Sequence, residues 1–175
     1  MTLRAPVVIA SLLAWPLAAG AAVHVTVPAR LSYDVGTVSV SETASGIGGG
    51  LGLRLAFGGQ RGVWEVGAEL DVAGYAGEGD GDPIFTGTVL VSRRGFASNG
   101  DVRGYWTVGF GIGGLAVGGS GLVLPLKVGA GASLGHGGPV GLQIGVFDRF
   151  NLVRSGGVSE TLNNLGVEVA LRLGR

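Results

Sequence analysis

The sequence contains no cysteine, few charged residues and few aromatic residues. Without cysteine, the 175-residue chain has neither a disulfide framework nor a thiolate metal site. Charged residues make up 14% of the chain and hydrophobic residues 46%, which excludes a disordered polyelectrolyte. Lys and Arg together number 12, as do Asp and Glu, and this balance argues against nucleic acid as a partner.

The first residues have the three parts of a secretory signal peptide. A short basic start precedes an apolar stretch up to Ala19, and a run of small residues follows. This order predicts export, with cleavage after Ala21 or Ala22. We therefore expect a signal peptide over residues 1–22 and one domain outside the cytoplasm over residues 23–175.

The rest of the chain alternates between apolar and other residues with a period of two. This alternation is clear in seven segments, at roughly 47–57, 64–72, 85–91, 102–112, 122–134, 140–146 and 165–173. One parity of these segments has 37 positions, of which 34 are apolar and three are glycine. The other parity has 30 positions, with eleven glycines and eight charged residues. The pattern predicts β-strands with two unlike faces.

An eighth strand is needed to complete an even number. Residues 30–41 supply it if a bulge near Gly36 joins the two phases of their alternation. The predicted strands are then 30–41, 46–57, 63–76, 84–93, 102–113, 121–134, 139–150 and 164–173. Residues 151–163 are expected to form a long external connection, and the acidic segment 78–82 a solvated external loop.

The polarity of the two faces favours a membrane barrel over a soluble sheet. Glycine on a solvent face would weaken strands without a return. A transmembrane barrel instead turns its apolar face to lipid and its polar face inward, where glycine leaves room for long charged side chains. Closure also satisfies every backbone hydrogen bond in hydrocarbon. We therefore predict an all-β fold, a closed up-and-down antiparallel transmembrane β-barrel of about eight strands.

This pattern resembles the small eight-stranded outer-membrane barrels of the OmpA and OmpX type. The resemblance is one of pattern and covers almost the whole exported chain. It implies a monomer in the outer membrane, in contact with outer-membrane lipid and lipopolysaccharide, and inserted by the barrel-assembly machinery.

The charges on the inward parity form the candidate site. Eight strands leave an interior just wide enough for side chains, so these groups are expected to form salt bridges and plug the barrel. Four are basic and four are acidic: Arg54, Arg103, Lys127 and Arg172, and Glu65, Glu69, Asp71 and Glu168. No cofactor or metal site is expected.

The pattern predicts an integral outer-membrane protein with a structural or surface-interaction role and no catalysis. The two histidines, His24 and His136, have no serine and carboxylate at a recognisable spacing, so an enzyme acting on membrane lipid is not expected. Two alternatives stay open. One is a secreted soluble β-barrel or sandwich that binds an apolar ligand, and the other is a narrow ion-conducting channel.

Overall fold

A computed structural model shows that the chain forms a closed barrel. It describes residues 22–39, 42–59, 61–73, 84–97, 100–115, 121–135, 138–155 and 158–174. The strands are β1 (Ala22–Ser39), β2 (Glu42–Gly59), β3 (Gly62–Ala73), β4 (Ile84–Phe96), β5 (Val102–Leu115), β6 (Gly121–Leu134), β7 (Val140–Ser155) and β8 (Val158–Gly174). Each strand pairs antiparallel with the next, and β1 pairs with β8. The predicted fold class and strand number are confirmed. None of the described ranges contains a helix that could cross a membrane.

The strands are strongly staggered around the barrel. A path through paired residues that starts at Val25 in β1 crosses every other strand and returns to β1 at Val35, ten residues further along. A stagger of this size in eight strands tilts them by roughly 40° to the barrel axis and leaves an interior that side chains fill. We call the end where β1 begins and β8 finishes the terminal end, and the opposite end the loop end.

The side chains divide between outside and inside as the alternation predicts. Leu53, Leu70, Val108 and Leu126 point away from the barrel and are between 45% and 67% exposed. The charged residues of the opposite parity point inward, and all of them except Asp71 are buried. The polarity is therefore inverted relative to a soluble barrel, in which apolar side chains would meet inside.

Glycine on the inward face makes room for interior side chains. A Cβ atom at Gly67 would lie nearest to the carbonyl oxygen of Leu53 and 2.6 Å from Cγ of Arg54, in both cases closer than real Cβ atoms come. On the outward face, a Cβ atom at Gly87 would meet only Leu70, at an ordinary 3.5 Å. The inward glycine is thus needed for the close approach of the neighbouring strand and of the charged side chain that it carries.

The first strand is longer than the predicted segment 30–41. Val23 and Val27 already lie on the outward face, with buried residues between them, and β1 begins at Ala22. The start of β1 follows directly on an apolar run of the sequence, so the alternation between apolar and polar residues is hard to recognise there. A shift in register occurs in β1 between Thr37 and Ser39, directly after Gly36, where the bulge is predicted.

The prediction of a long connection over 151–163 is wrong. β7 continues to Ser155, and β8 begins at Val158. The alternation of polarity is lost in this region because inward residues are apolar here. Val153 and Leu162 pack with Val123 inside the loop end of the barrel, so both strand faces carry apolar residues.

Replacement of Gly67 by Ala should destabilise the barrel by about 1–3 kcal/mol, because the added methyl group overpacks the interior against Arg54 and the carbonyl oxygen of Leu53. The matched variant Gly87→Ala adds the same group to the outward face and should change stability by no more than about 0.5 kcal/mol. Urea unfolding of the refolded protein in detergent micelles measures both. Equal losses in the two variants would contradict this account of the interior glycine.

Candidate functional site: the charged interior

The centre of the interior is occupied by the carboxylate of Glu69, on β3. Four cationic side chains surround it. Nη1 of Arg149 lies 3.3 Å from Oε2, and Nζ of Lys127 lies 3.8 Å from Oε1. Arg54 donates from Nε to Oε1 at 2.8 Å, and Arg30 also pairs with this carboxylate. Glu69 is therefore buried without being isolated from positive charge.

A second carboxylate, Glu168 on β8, shares two of these cations, Arg54 and Lys127. Arg54 donates from Nη1 to Oε1 at 2.9 Å and from Nη2 to Oε2 at 2.6 Å, a bidentate pair. Lys127 also donates to Glu168. Because Arg54 contacts both carboxylates, it connects its own strand, β2, to β3 and to β8.

The network extends toward the loop end through Asp71. Arg30 lies 2.8 Å from this carboxylate, and Arg149 pairs with it as well. Arg149 also donates to Thr88 at 2.7 Å and to Asn151 at 3.1 Å. The neutral oxygens of Thr88 and Asn151 thus accept hydrogen bonds from the N–H groups of Arg149 that are not paired with a carboxylate.

Toward the terminal end, the network continues through Arg94, whose side chain is fully buried. Its Nη2 lies 3.2 Å from Glu65 and 3.9 Å from Glu168, and its Nη1 donates to Gln143. The guanidinium carbon lies 4.4 Å from the centre of the Tyr105 ring, a cation–π contact.

Two of the predicted site residues lie apart from this network, at the terminal mouth. Arg172 donates from Nη2 to the carbonyl oxygens of Gly135, at 2.6 Å, and Gly138, at 3.0 Å. Arg103 donates from Nε to the carbonyl oxygen of Gly100 at 3.0 Å. Both guanidinium groups thus hold turn backbones at the mouth of the barrel.

The structure brings the other six predicted residues together: Arg54, Glu65, Glu69, Asp71, Lys127 and Glu168. Sequence reasoning missed Arg30, Arg94 and Arg149, which supply cations to the same carboxylates. Arg94 and Arg149 continue the inward parity of β4 and β7 three residues beyond the segments used for the prediction. Extension of the alternation along these two strands would have found both.

The paired side chains lie in the interior of the barrel, and all of them except Asp71 are buried. Two cavities beside them are each about the size of a single water molecule. One is lined by residues that include Glu69 and Lys127, and the other by residues that include Asp71 and Arg149. This arrangement holds strands together and leaves little space for a passing solute.

Of the remaining candidate residues, the structure describes His24. His24 lies inside the terminal end and is 4% exposed. Three predicted features lie outside the described residues: His136, the acidic segment 78–82 and residues 1–21 of the predicted signal peptide.

The barrel is similar to a solved structure described as the crystal structure of the outer membrane enzyme PagL. The TM-score is 0.60 and the sequence identity 14%, over 83% of this chain and 97% of that chain. No protein-family model and no curated protein matches the sequence. The resemblance to OmpA- and OmpX-type barrels is therefore supported at the level of the eight-stranded fold.

The likeness to PagL contradicts the prediction that this chain is not an enzyme. That prediction depended on the linear spacing of histidine, serine and carboxylate, and on an interior filled by salt bridges. PagL is an enzyme with the same kind of barrel, so the fold is compatible with catalysis. Linear spacing is a poor guide here because a staggered barrel brings distant strands side by side.

Replacement of Glu69 by Ala should lower the free energy of unfolding by about 3–5 kcal/mol, because it leaves buried cations without their shared carboxylate. The control, Asp101→Ala, removes an exposed carboxylate and should have an effect within about 0.5 kcal/mol. Urea titration in detergent micelles compares the two variants with the unchanged protein. An unfolding midpoint that does not move in Glu69→Ala would remove the central role of this carboxylate.

Proposed function

We propose that this chain is an integral outer-membrane protein whose strands cross the bilayer and whose interior is plugged by ion pairs. The observation that carries the proposal is the inversion of polarity, with apolar side chains outside the barrel and charges inside it. Hydrocarbon accepts such an exterior, whereas water does not favour a continuous apolar belt around a protein.

Aromatic side chains near the terminal end support a membrane boundary at that level. Trp64 on β3 and Trp106 on β5 are outward and 42% and 51% exposed. Arg93 lies beside Trp64, with its guanidinium carbon 5.6 Å from the ring centre. Aromatic rings with basic neighbours are typical of the interface between hydrocarbon and water.

In this proposal the role of the protein is structural or one of surface interaction. The partners that fit are outer-membrane lipid and lipopolysaccharide, which contact the belt, and the barrel-assembly machinery, which inserts it. Because the interior is occupied by side chains, specific contacts would use the outward surface or the loop end.

The two alternatives require interiors of a different kind. A soluble barrel for an apolar ligand needs an apolar cavity, whereas the centre of this interior holds Glu69, Glu168 and the cations paired with them. A channel needs continuous water, whereas the cavities beside these groups are each about the size of one water molecule. The geometry therefore best supports an integral outer-membrane protein with a plugged interior.

The exported protein is expected in the outer-membrane fraction of a bacterial host, resistant to extraction by salt. It should migrate differently on a denaturing gel before and after boiling, because the closed barrel stays folded in detergent until it is heated. Cell fractionation and paired unboiled and boiled samples measure this. A protein found free in the periplasm, with one mobility, would refute membrane insertion.

The purified barrel is expected to leave the conductance of a planar lipid bilayer at its baseline, because paired side chains fill the interior. Single-channel recording tests this, with a known porin as the positive control and the detergent alone as the negative control. Reproducible current steps from the folded protein would favour the channel.

A further inference from the structure

One ionisable side chain lies on the outward face, inside the apolar belt. Asp148 is on β7, and its partners across the neighbouring strands are Val128 on β6 and Leu165 on β8. Val146 and Phe150 lie before and after it on the same face. All four neighbours are exposed and apolar, between 44% and 59%.

The stagger of the barrel gives the level of this carboxyl group. Four steps from strand to strand separate Asp148 from Trp64, through Val128, Val108 and Arg93. A stagger of ten residues spread over eight steps changes the level by roughly 3 Å at each step. Asp148 therefore lies roughly 12 Å above Trp64, near the middle of a hydrocarbon band about 25 Å tall.

The barrel itself does not satisfy this group. Oδ1 of Asp148 is buried and has no hydrogen-bond partner among the described residues. Ionisable residues facing hydrocarbon are rare and mark sites of interaction. Lipid headgroups stay at the edge of the band, so a partner must bring a polar group to the middle of the membrane, as another protein can.

We propose that Asp148 is the centre of a contact between two copies of this chain in the membrane. The inference rests on the proposed insertion of the barrel in a bilayer. Two copies related by a two-fold axis along the membrane normal place each residue at the depth of its counterpart, so Asp148 can meet Asp148. A carboxyl group surrounded by hydrocarbon is favoured in its uncharged form, which both donates and accepts, so two such groups are complementary.

The apolar neighbours complete this surface. Val128, Val146 and Leu165 surround the carboxyl group and would pack against the same residues of the second copy. The contact replaces the expectation of a monomer. It also differs from the rest of the belt, because lipid can solvate the other apolar residues but cannot satisfy Asp148.

Cysteine cross-linking in membranes tests the contact, since the chain has no cysteine of its own. Val146→Cys introduces a thiol beside Asp148 and keeps the carboxyl group. Val89→Cys is the matched control, because this valine is also outward and exposed, on β4 away from the proposed contact. A short bismaleimide should join two copies through Val146→Cys, with about fivefold less dimer from Val89→Cys.

Two substitutions then test the carboxyl group in the Val146→Cys background. Asp148→Leu should lower the yield of dimer by about fivefold, whereas Asp148→Asn, which can still donate and accept, should keep most of it. Should Asp148→Leu fail to fold, the comparison of Val146→Cys with Val89→Cys decides the question by itself.

Equal dimer from the two cysteine positions, a product that contains another protein, or no loss of dimer in folded Asp148→Leu would overturn the inference. The unboiled gel separates this failure from that of the proposed function. A folded band in the membrane fraction without the dimer rejects the contact alone, whereas absence from the membrane rejects both.

Discussion

A carboxylate that is taken out of water needs a cation beside it, and this constraint organises the interior of the barrel. Glu69 and Glu168 meet it by sharing Arg54 and Lys127. Three of the resulting ion pairs run between strands that are not neighbours: β2 with β8, β6 with β3 and β6 with β8. They therefore link walls that the backbone hydrogen bonds, which join only adjacent strands, leave unconnected.

The space for these ion pairs depends on glycine and on the stagger of the strands. An eight-stranded barrel is narrow, so a long side chain such as Arg54 needs a small residue on the adjacent strand, and Gly67 supplies it. The stagger then brings residues far apart in sequence to one level. The high glycine content and the charged inward side chains thus depend on each other in the packing of the interior.

Most of the fold could be predicted because the two faces of its strands differ strictly in polarity, and 34 of the 37 positions on one parity have apolar side chains. The prediction failed where the contrast between faces vanished. Val153 and Leu162 are apolar but inward, so the strands around them looked like a loop.

Six of the eight proposed site residues meet in one network, but their pairing could not be predicted, because it depends on a stagger that alternation alone does not reveal. Arg103 and Arg172 have the same parity as the others, and only their level places them at the mouth.

The filled interior also bears on where any activity of such a barrel can reside. Because Glu69, Glu168 and their cations occupy the centre, a substrate or partner has access mainly to the outward surface and the ends. The likeness to PagL indicates that this fold is compatible with catalysis. The interior of the present barrel, however, is occupied by ion pairs. On the outward surface, Oδ1 of Asp148 has no hydrogen-bond partner among the described residues. With the barrel inserted in a bilayer as proposed, such a polar group destabilises the isolated barrel unless something binds it, and it thereby favours association over solvation by lipid.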